Sequence, residues 1–303
     1  MRICSLLPSA TEILFALGLG EQVVGVTHEC DYPLEALEKP KVIRTVIDQH
    51  DLSSEEIDRR VRVALERRES LYLVDEDALR RARPDLIVTQ ELCEVCAIDS
   101  AQVFEALRNL PSRPRVVSLH PHTLEEALQD IRLVGEVTGR EREAARLLVS
   151  LRERIERVRT LVAGASQPRV FCLEWLDPPM VSGHWVPEMV GLAGGHEVLG
   201  RAGELSRYVT WDEVTAAQPE VLIVMPCGFQ IERTRRELPT LAARSWWPTL
   251  PAVRDGRVYL VNGPAYFNRS GPRLVEGIEL LAGLLHPEQF ADLCSGERAA
   301  VWL

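Results

Sequence analysis

The sequence predicts an α/β fold of two Rossmann-like lobes with mainly parallel sheets, joined by one long backbone helix. Three observations lead there. Short apolar runs recur along the 303 residues, each followed by turn residues, with helical patterns between them. A segment of the first half is echoed in the second half. One uninterrupted amphipathic stretch separates the two halves.

The elements follow in order. Arg2 to Leu7 reads as a first strand; Pro8-Ser9 with Thr11-Glu12 then opens a helix that Gly18 stops. Further strands are expected at Val23–Thr27, Asp85–Thr89, Arg115–Leu119, Arg169–Leu173, Val221–Met225 and Arg257–Val261. Runs this short, apolar and β-branched suit strands buried on both faces. Helical spacing covers Ser9–Leu17, Ser54–Arg67, Ser100–Leu110, Pro187–Leu192 and Pro272–Leu285. The echo pairs Asp77-x-Leu79-x-x-Ala82-x-Pro84-Asp85 with Asp212-x-Val214-x-x-Ala217-x-Pro219-Glu220. Arg140 to Ala163 carries its apolar residues on one stripe, between Gly139 and Gly164. The expected division is therefore a first lobe over residues 1–138, a connecting helix over 139–164 and a second lobe over 165–303.

Composition narrows the function. With 46% hydrophobic and 26% charged residues the chain is globular. A net charge of −10 argues against nucleic-acid binding, because the chain repels phosphate backbones. No run approaches the length of a membrane span, so no membrane insertion is expected. The opening residues read as a strand and not as a secretory leader, which places the chain in the cytoplasm as the sequence stands, or outside it if a leader has been removed. Seven cysteines, an odd number, fit a reducing compartment better than a disulfide framework. The chain is expected to act as a monomer.

Ligands of open parallel sheets bind beyond the carboxyl ends of the strands. Only 6% of the chain is aromatic, yet Tyr32, Trp175, Phe229, Tyr266 and Phe267 all fall at such ends, with Trp185 in a glycine-flanked loop nearby. Together they predict a wide apolar site for a large, flat ligand. Cys93-x-x-Cys96 is the sharpest metal-like signal, with His28, His120 and His122 at neighbouring strand ends. Thiolates with imidazoles suit zinc, or a metal carried by the ligand. Phosphate-loop, dinucleotide and nucleophile-elbow motifs are missing, so no enzyme is expected.

The segments Ser5-Leu6-Leu7-Pro8-Ser9-Ala10-Thr11-Glu12, Asp177-Pro178-Pro179-Met180-Val181-Ser182-Gly183, Gly194-Gly195 and Tyr266-Phe267-Asn268-Arg269-Ser270-Gly271-Pro272-Arg273 carry a family likeness. The chain resembles the vitamin B12-binding proteins of ABC importers, within the helical-backbone (class III) substrate-binding proteins. The resemblance implies a corrinoid such as cobalamin held between two lobes and an ABC permease as partner. It matches Tyr32 to a ligand-facing tyrosine and puts Phe267 and Arg269 in a ligand-touching segment. It also aligns Asp77 and Asp212 with permease-docking acids, one per lobe; the plainer reading makes both acids helix N-terminal caps. The alternative function is a cytoplasmic metal, haem or corrinoid handling protein, or an enzyme, using Cys93, Cys96 and the histidines.

Overall fold

The computed structural model describes residues 1–49, 51–90, 113–290 and 298–302. Cys93, Cys96 and the helix expected over 100–110 lie outside the described residues. The chain divides into two compact units: residues 1–52, 56–121 and 125–149 form the first, and residues 53–55, 122–124 and 150–303 form the second.

The first unit is built on six strands: β1 (Ile3–Ser5), β2 (Val23–Thr27), β3 (Lys41–Thr45), β4 (Tyr72–Val74), β5 (Leu86–Gln90) and β6 (Arg115–Leu119). Their spatial order is β4-β3-β2-β1-β5-β6. All neighbours are parallel except β3 and β4. The central strand β1 is wholly buried, as its Ile-Cys-Ser run with no charge dictates. Strand order reverses at β1, whose neighbours are β2 and β5, and it is at the carboxyl edge of such a position that open parallel sheets bind ligands.

The second unit carries β7 (Arg169–Trp175), β8 (Met180–Val181), β9 (His196–Glu197), β10 (Arg207–Tyr208), β11 (Val221–Val224), β12 (Val258–Val261) and β13 (Ala299–Val301). The order is β10-β8-β7-β11-β12-β13, with β9 pairing the start of β7. Strands β7, β11 and β12 are parallel, and β11 and β12 are buried at every residue. The buried carboxylate of Glu197 ties β9 to β7 by accepting the amides of Cys172, Leu199 and Gly200.

The sequence echo is a structural one. In each unit the first strand's arginine donates its amide to an acid and its guanidinium to a helix-end carbonyl. Arg2 N donates to Asp85 Oδ2 at 2.8 Å and Arg2 Nε to the Ala82 carbonyl at 2.7 Å. Arg169 N donates to Glu220 Oε2 at 2.8 Å and Arg169 Nη2 to the Ala217 carbonyl at 2.6 Å. The helices Glu76–Ala82 and Trp211–Ala217 both end on a left-handed residue, Arg83 (φ 42°) and Gln218 (φ 45°), just before a proline.

Between β6 and β7 in sequence the chain forms two helices, Leu124–Thr138 and Glu141–Leu161. They are broken at Gly139, whose φ of +69° ends the first helix in the manner of a left-handed cap. The second spans about 32 Å at 1.5 Å per residue.

Candidate functional site

At the carboxyl edge of the first unit, Thr11 Oγ1 donates to Ser5 Oγ at 2.8 Å, and the buried Cys30 sulfur lies 3.1 Å from Thr11 Oγ1 and 3.3 Å from Thr27 Oγ1. Lys41 Nζ reaches under the following loop to the carbonyls of Cys30 and Ala36, both at 3.2 Å. Burial lowers its pKa, against the pull of Cys30 and Asp31. This lysine fixes the loop that carries Tyr32, a residue 43% exposed. His28 is half-buried 3.8 Å from Glu29, and its ring lies 6.1 Å from that of Tyr72. His120 follows β6 and is exposed.

In the second unit Trp175 ends β7. Its indole N–H donates to the Ser54 carbonyl at 3.2 Å, and its ring lies 5.2 Å from Phe229. The Arg233 guanidinium sits 4.6 Å from the Phe229 centroid and pairs with Glu237 at 2.7 Å. The result is a row of aromatic, aromatic and cation, with Phe229 buried in the middle. Trp185 is buried and donates its indole N–H to the Phe267 carbonyl at 2.7 Å. Phe267 is itself buried against Gly277, where a Cβ would meet Met189 Cε at 2.7 Å and the Phe267 ring at 3.3 Å. Tyr266 is half-buried with the Arg273 guanidinium 5.0 Å from its centroid, and Arg269 is half-buried on the same loop.

The predicted site residues divide by exposure. Tyr32, Trp175, Tyr266 and Arg269 present accessible surface, whereas Trp185, Phe229 and Phe267 are buried.

The histidines of the metal reading separate. His28 and His120 belong to the first unit, whereas His122 belongs to the second. His122 lies with its ring 5.7 Å from that of His184, a residue the sequence reading passed over. Burial lowers the His184 pKa, and His122 lowers it further. Among the described residues no group of three or more His, Cys, Asp or Glu is placed to hold a metal ion.

Neither predicted docking acid caps its helix. The N-cap of the first is Asp75, which accepts from Ala78 N at 2.8 Å; the N-cap of the second is Thr210, in a capping box with Glu213. Glu213 is held below its ordinary pKa by the Thr210 amide and by Arg207 at 3.2 Å. Asp77 and Asp212 are thereby left with exposed carboxylates on the first helical turns.

Comparison with known proteins agrees with this architecture. Residues 3–265 match the periplasmic binding protein family model. An uncharacterised ABC transporter substrate-binding lipoprotein of Bacillus subtilis is 27% identical over 96% of this chain and 82% of its own length. The vitamin B12-binding protein of Vibrio cholerae is 24% identical over 92% of this chain and 86% of its own length. Among solved structures, the periplasmic vitamin B12-binding protein of Vibrio cholerae superposes with a TM-score of 0.67, covering 95% of this chain and 97% of that one at 22% identity. A periplasmic haem-binding protein of Pseudomonas aeruginosa gives 0.73, covering 95% and 93% at 18% identity. These relatives are substrate-binding proteins and not enzymes. They are a lipoprotein and periplasmic proteins, against the cytoplasmic placement suggested by the opening residues. No helix among the described residues is long and apolar enough to cross a membrane. Matched over most of its length and built on two mainly parallel sheets, the chain belongs to the periplasmic binding protein family, the class III substrate-binding proteins of ABC importers.

Proposed function

We propose that the protein is the exported substrate-binding component of an ABC importer and that its cargo is a corrinoid of the cobalamin type. The observation that carries this reading is near full-length likeness to vitamin B12-binding proteins, joined with aromatic surface at the strand ends of both units. Tyr32 on the first unit, and Trp175 and Tyr266 on the second, offer flat apolar faces to a corrin ring. Arg269 and Arg273 offer donors to its amide side chains and phosphate. Asp77 and Asp212 are the acids that engage a permease, pairing with basic residues on it and setting encounter rate and register.

Haem is the competing cargo, since structural neighbours include haem-binding proteins. Calorimetric titration of the full chain with cyanocobalamin and with haemin separates the two. Saturable one-to-one binding of cyanocobalamin, tighter than that of haemin and without turnover, is the expected result. Binding of haemin with none of cyanocobalamin overturns the corrinoid assignment.

A further inference from the structure

Two tryptophans of the second unit stack on each other away from the strand-end surface. Trp211 opens the helix Trp211–Ala217, and Trp246 precedes the short helical turn Trp247–Thr249. Their ring centroids are 4.3 Å apart and their planes 20° from parallel. Both residues are half-buried. Trp247, its ring centroid 5.9 Å from that of Trp246, is buried and holds the stack from that side. Trp175 and Trp185 donate their indole N–H groups to carbonyls, whereas Trp211 and Trp246 donate theirs to none of the described residues. A half-exposed indole with an unused donor is the kind of amphipathic surface that protein interfaces favour, and tryptophan is over-represented among the residues that dominate binding there.

The two copies of the repeat have diverged at this place. Trp211 stands where the first copy has Glu76, Asp212 where it has Asp77, and Thr215 where it has Arg80. In the first copy Arg80 lies 2.6 Å from Asp77 and 3.7 Å from Glu76, so the acids hold a cation of their own. In the second copy one acid has become an indole and the cation is gone. Thr215 turns its hydroxyl back to the Asp212 carbonyl at 3.0 Å, and Glu213 is engaged by Thr210 and Arg207. Asp212 therefore keeps an exposed carboxylate beside Trp211 on the first helical turn. A carboxylate and an indole face both attract cations, and no cation of the described residues is placed on either. We propose that Trp211, Trp246 and Asp212 form a receptor for an arginine side chain presented by the permease. Arginine suits it better than lysine. A planar guanidinium lies flat on an indole face and keeps its in-plane N–H groups for the carboxylate, whereas an ammonium is a compact, strongly hydrated charge. This inference rests on the docking role proposed above for Asp212, and adds the aromatic contact that selects the partner's side chain.

The receptor is tested first on the full chain alone, with triarginine amide and trilysine amide as probes of equal charge. Binding is followed by NMR through the indole N–H signals, those of Trp211 and Trp246 being identified by Trp211→Leu and Trp246→Leu. Both signals should shift saturably with triarginine, at an affinity at least about threefold tighter than with trilysine. Trp211→Leu keeps an apolar side chain and removes the π face, so the Trp246 signal should no longer respond. Trp211→Phe should retain part of the response, and Asp212→Asn should weaken it. No saturable shift, equal affinities for the two peptides, or an undiminished response in Trp211→Leu overturns the receptor. The second measurement is association of the full chain with a reconstituted cognate permease, where Trp211→Leu, and independently Trp246→Leu, should raise Kd about three- to thirtyfold. If Asp212→Lys weakens that association and neither leucine variant does, the docking role stands and the aromatic receptor falls. If Asp212→Lys changes nothing, the docking role itself falls.

Discussion

Tyr32→Ala tests the strand-end surface most directly. A tyrosine side chain presents on the order of 150–250 Å². With 43% of Tyr32 exposed, roughly 65–110 Å² is free to be covered by a ligand. At about 25 cal/mol per Å² that area corresponds to about 1.6–2.7 kcal/mol when fully buried. Incomplete coverage and ordering costs reduce the figure, and a loss of about 1.4 kcal/mol, or tenfold in Kd, is the expected minimum. Lys41 holds the 30–36 loop through the Cys30 and Ala36 carbonyls. The alanine variant should therefore still fold. Tyr32→Phe keeps the ring and should bind within about threefold of the parent if the face, and not the hydroxyl, does the work. Isothermal titration with cyanocobalamin measures all three proteins. Equal affinity in the parent and the alanine variant refutes the assignment of Tyr32 to the ligand surface.

Two further predictions concern titratable groups. Asp130 is buried, its Oδ2 lacks a partner, and burial together with Glu126 raises its pKa to about 7. Between about pH 4 and 7 the folded state binds more protons than the unfolded one, so stability falls as pH rises through that window. Asp130→Asn should stabilise at pH 8 by up to about 4 kcal/mol and change little at pH 4; equal effects at both pH values in denaturant titrations would contradict this. Cys4, Cys30, Cys172 and Cys227 form no disulfide among the described residues, and burial pushes the Cys4 thiol up to about 12, which leaves it inert. In an exported protein Cys93 and Cys96 should be recovered oxidised; quantitative alkylation of both in freshly lysed cells would instead favour a reducing, cytoplasmic setting.

The sequence made some parts of this molecule legible for clear physical reasons. The buried strands β1, β5, β7, β11 and β12 announce themselves because a strand covered on both faces needs an unbroken apolar run. Charge-bearing or very short strands away from the sheet centres escape that signal: β3 begins on Lys41 and carries an exposed Arg44, whereas β8, β9 and β10 are two residues each. The repeat was readable because each copy needs a proline after a left-handed turn and an acid for the first strand's arginine. The strand-end aromatics could be located but not sorted. Whether Phe267 faces a ligand or the core depends on Gly277 in a different helix, and Phe229 depends on Arg233. His184 gave no sign at all, because a single histidine after a glycine does not reveal a left-handed backbone or a partner 62 residues away.

The repeat also predicts that the two docking acids are unequal. Both occupy the second position of a capped helix, but their neighbours have diverged. Asp77 lies 2.6 Å from Arg80, which also reaches Glu76 at 3.7 Å. Position 80 corresponds to Thr215 in the second copy, and no ion pair is seen for Asp212 among the described residues. Arg80 therefore competes with any cationic partner for Asp77, whereas Asp212 is met unopposed. The competition is mild, because an exposed pair of this kind is worth about 0–1 kcal/mol, at most about fivefold in affinity. Asp212→Lys should accordingly slow association with a reconstituted cognate permease more than Asp77→Lys does. Arg80→Ala should speed it, and both effects should shrink at high salt. Reversal of both acids should abolish coupled uptake and leave cyanocobalamin affinity unchanged. Uptake that survives the double reversal, or ligand binding lost along with it, would remove these acids from the docking surface; equal rates for the two single variants would show that Arg80 does not shield Asp77.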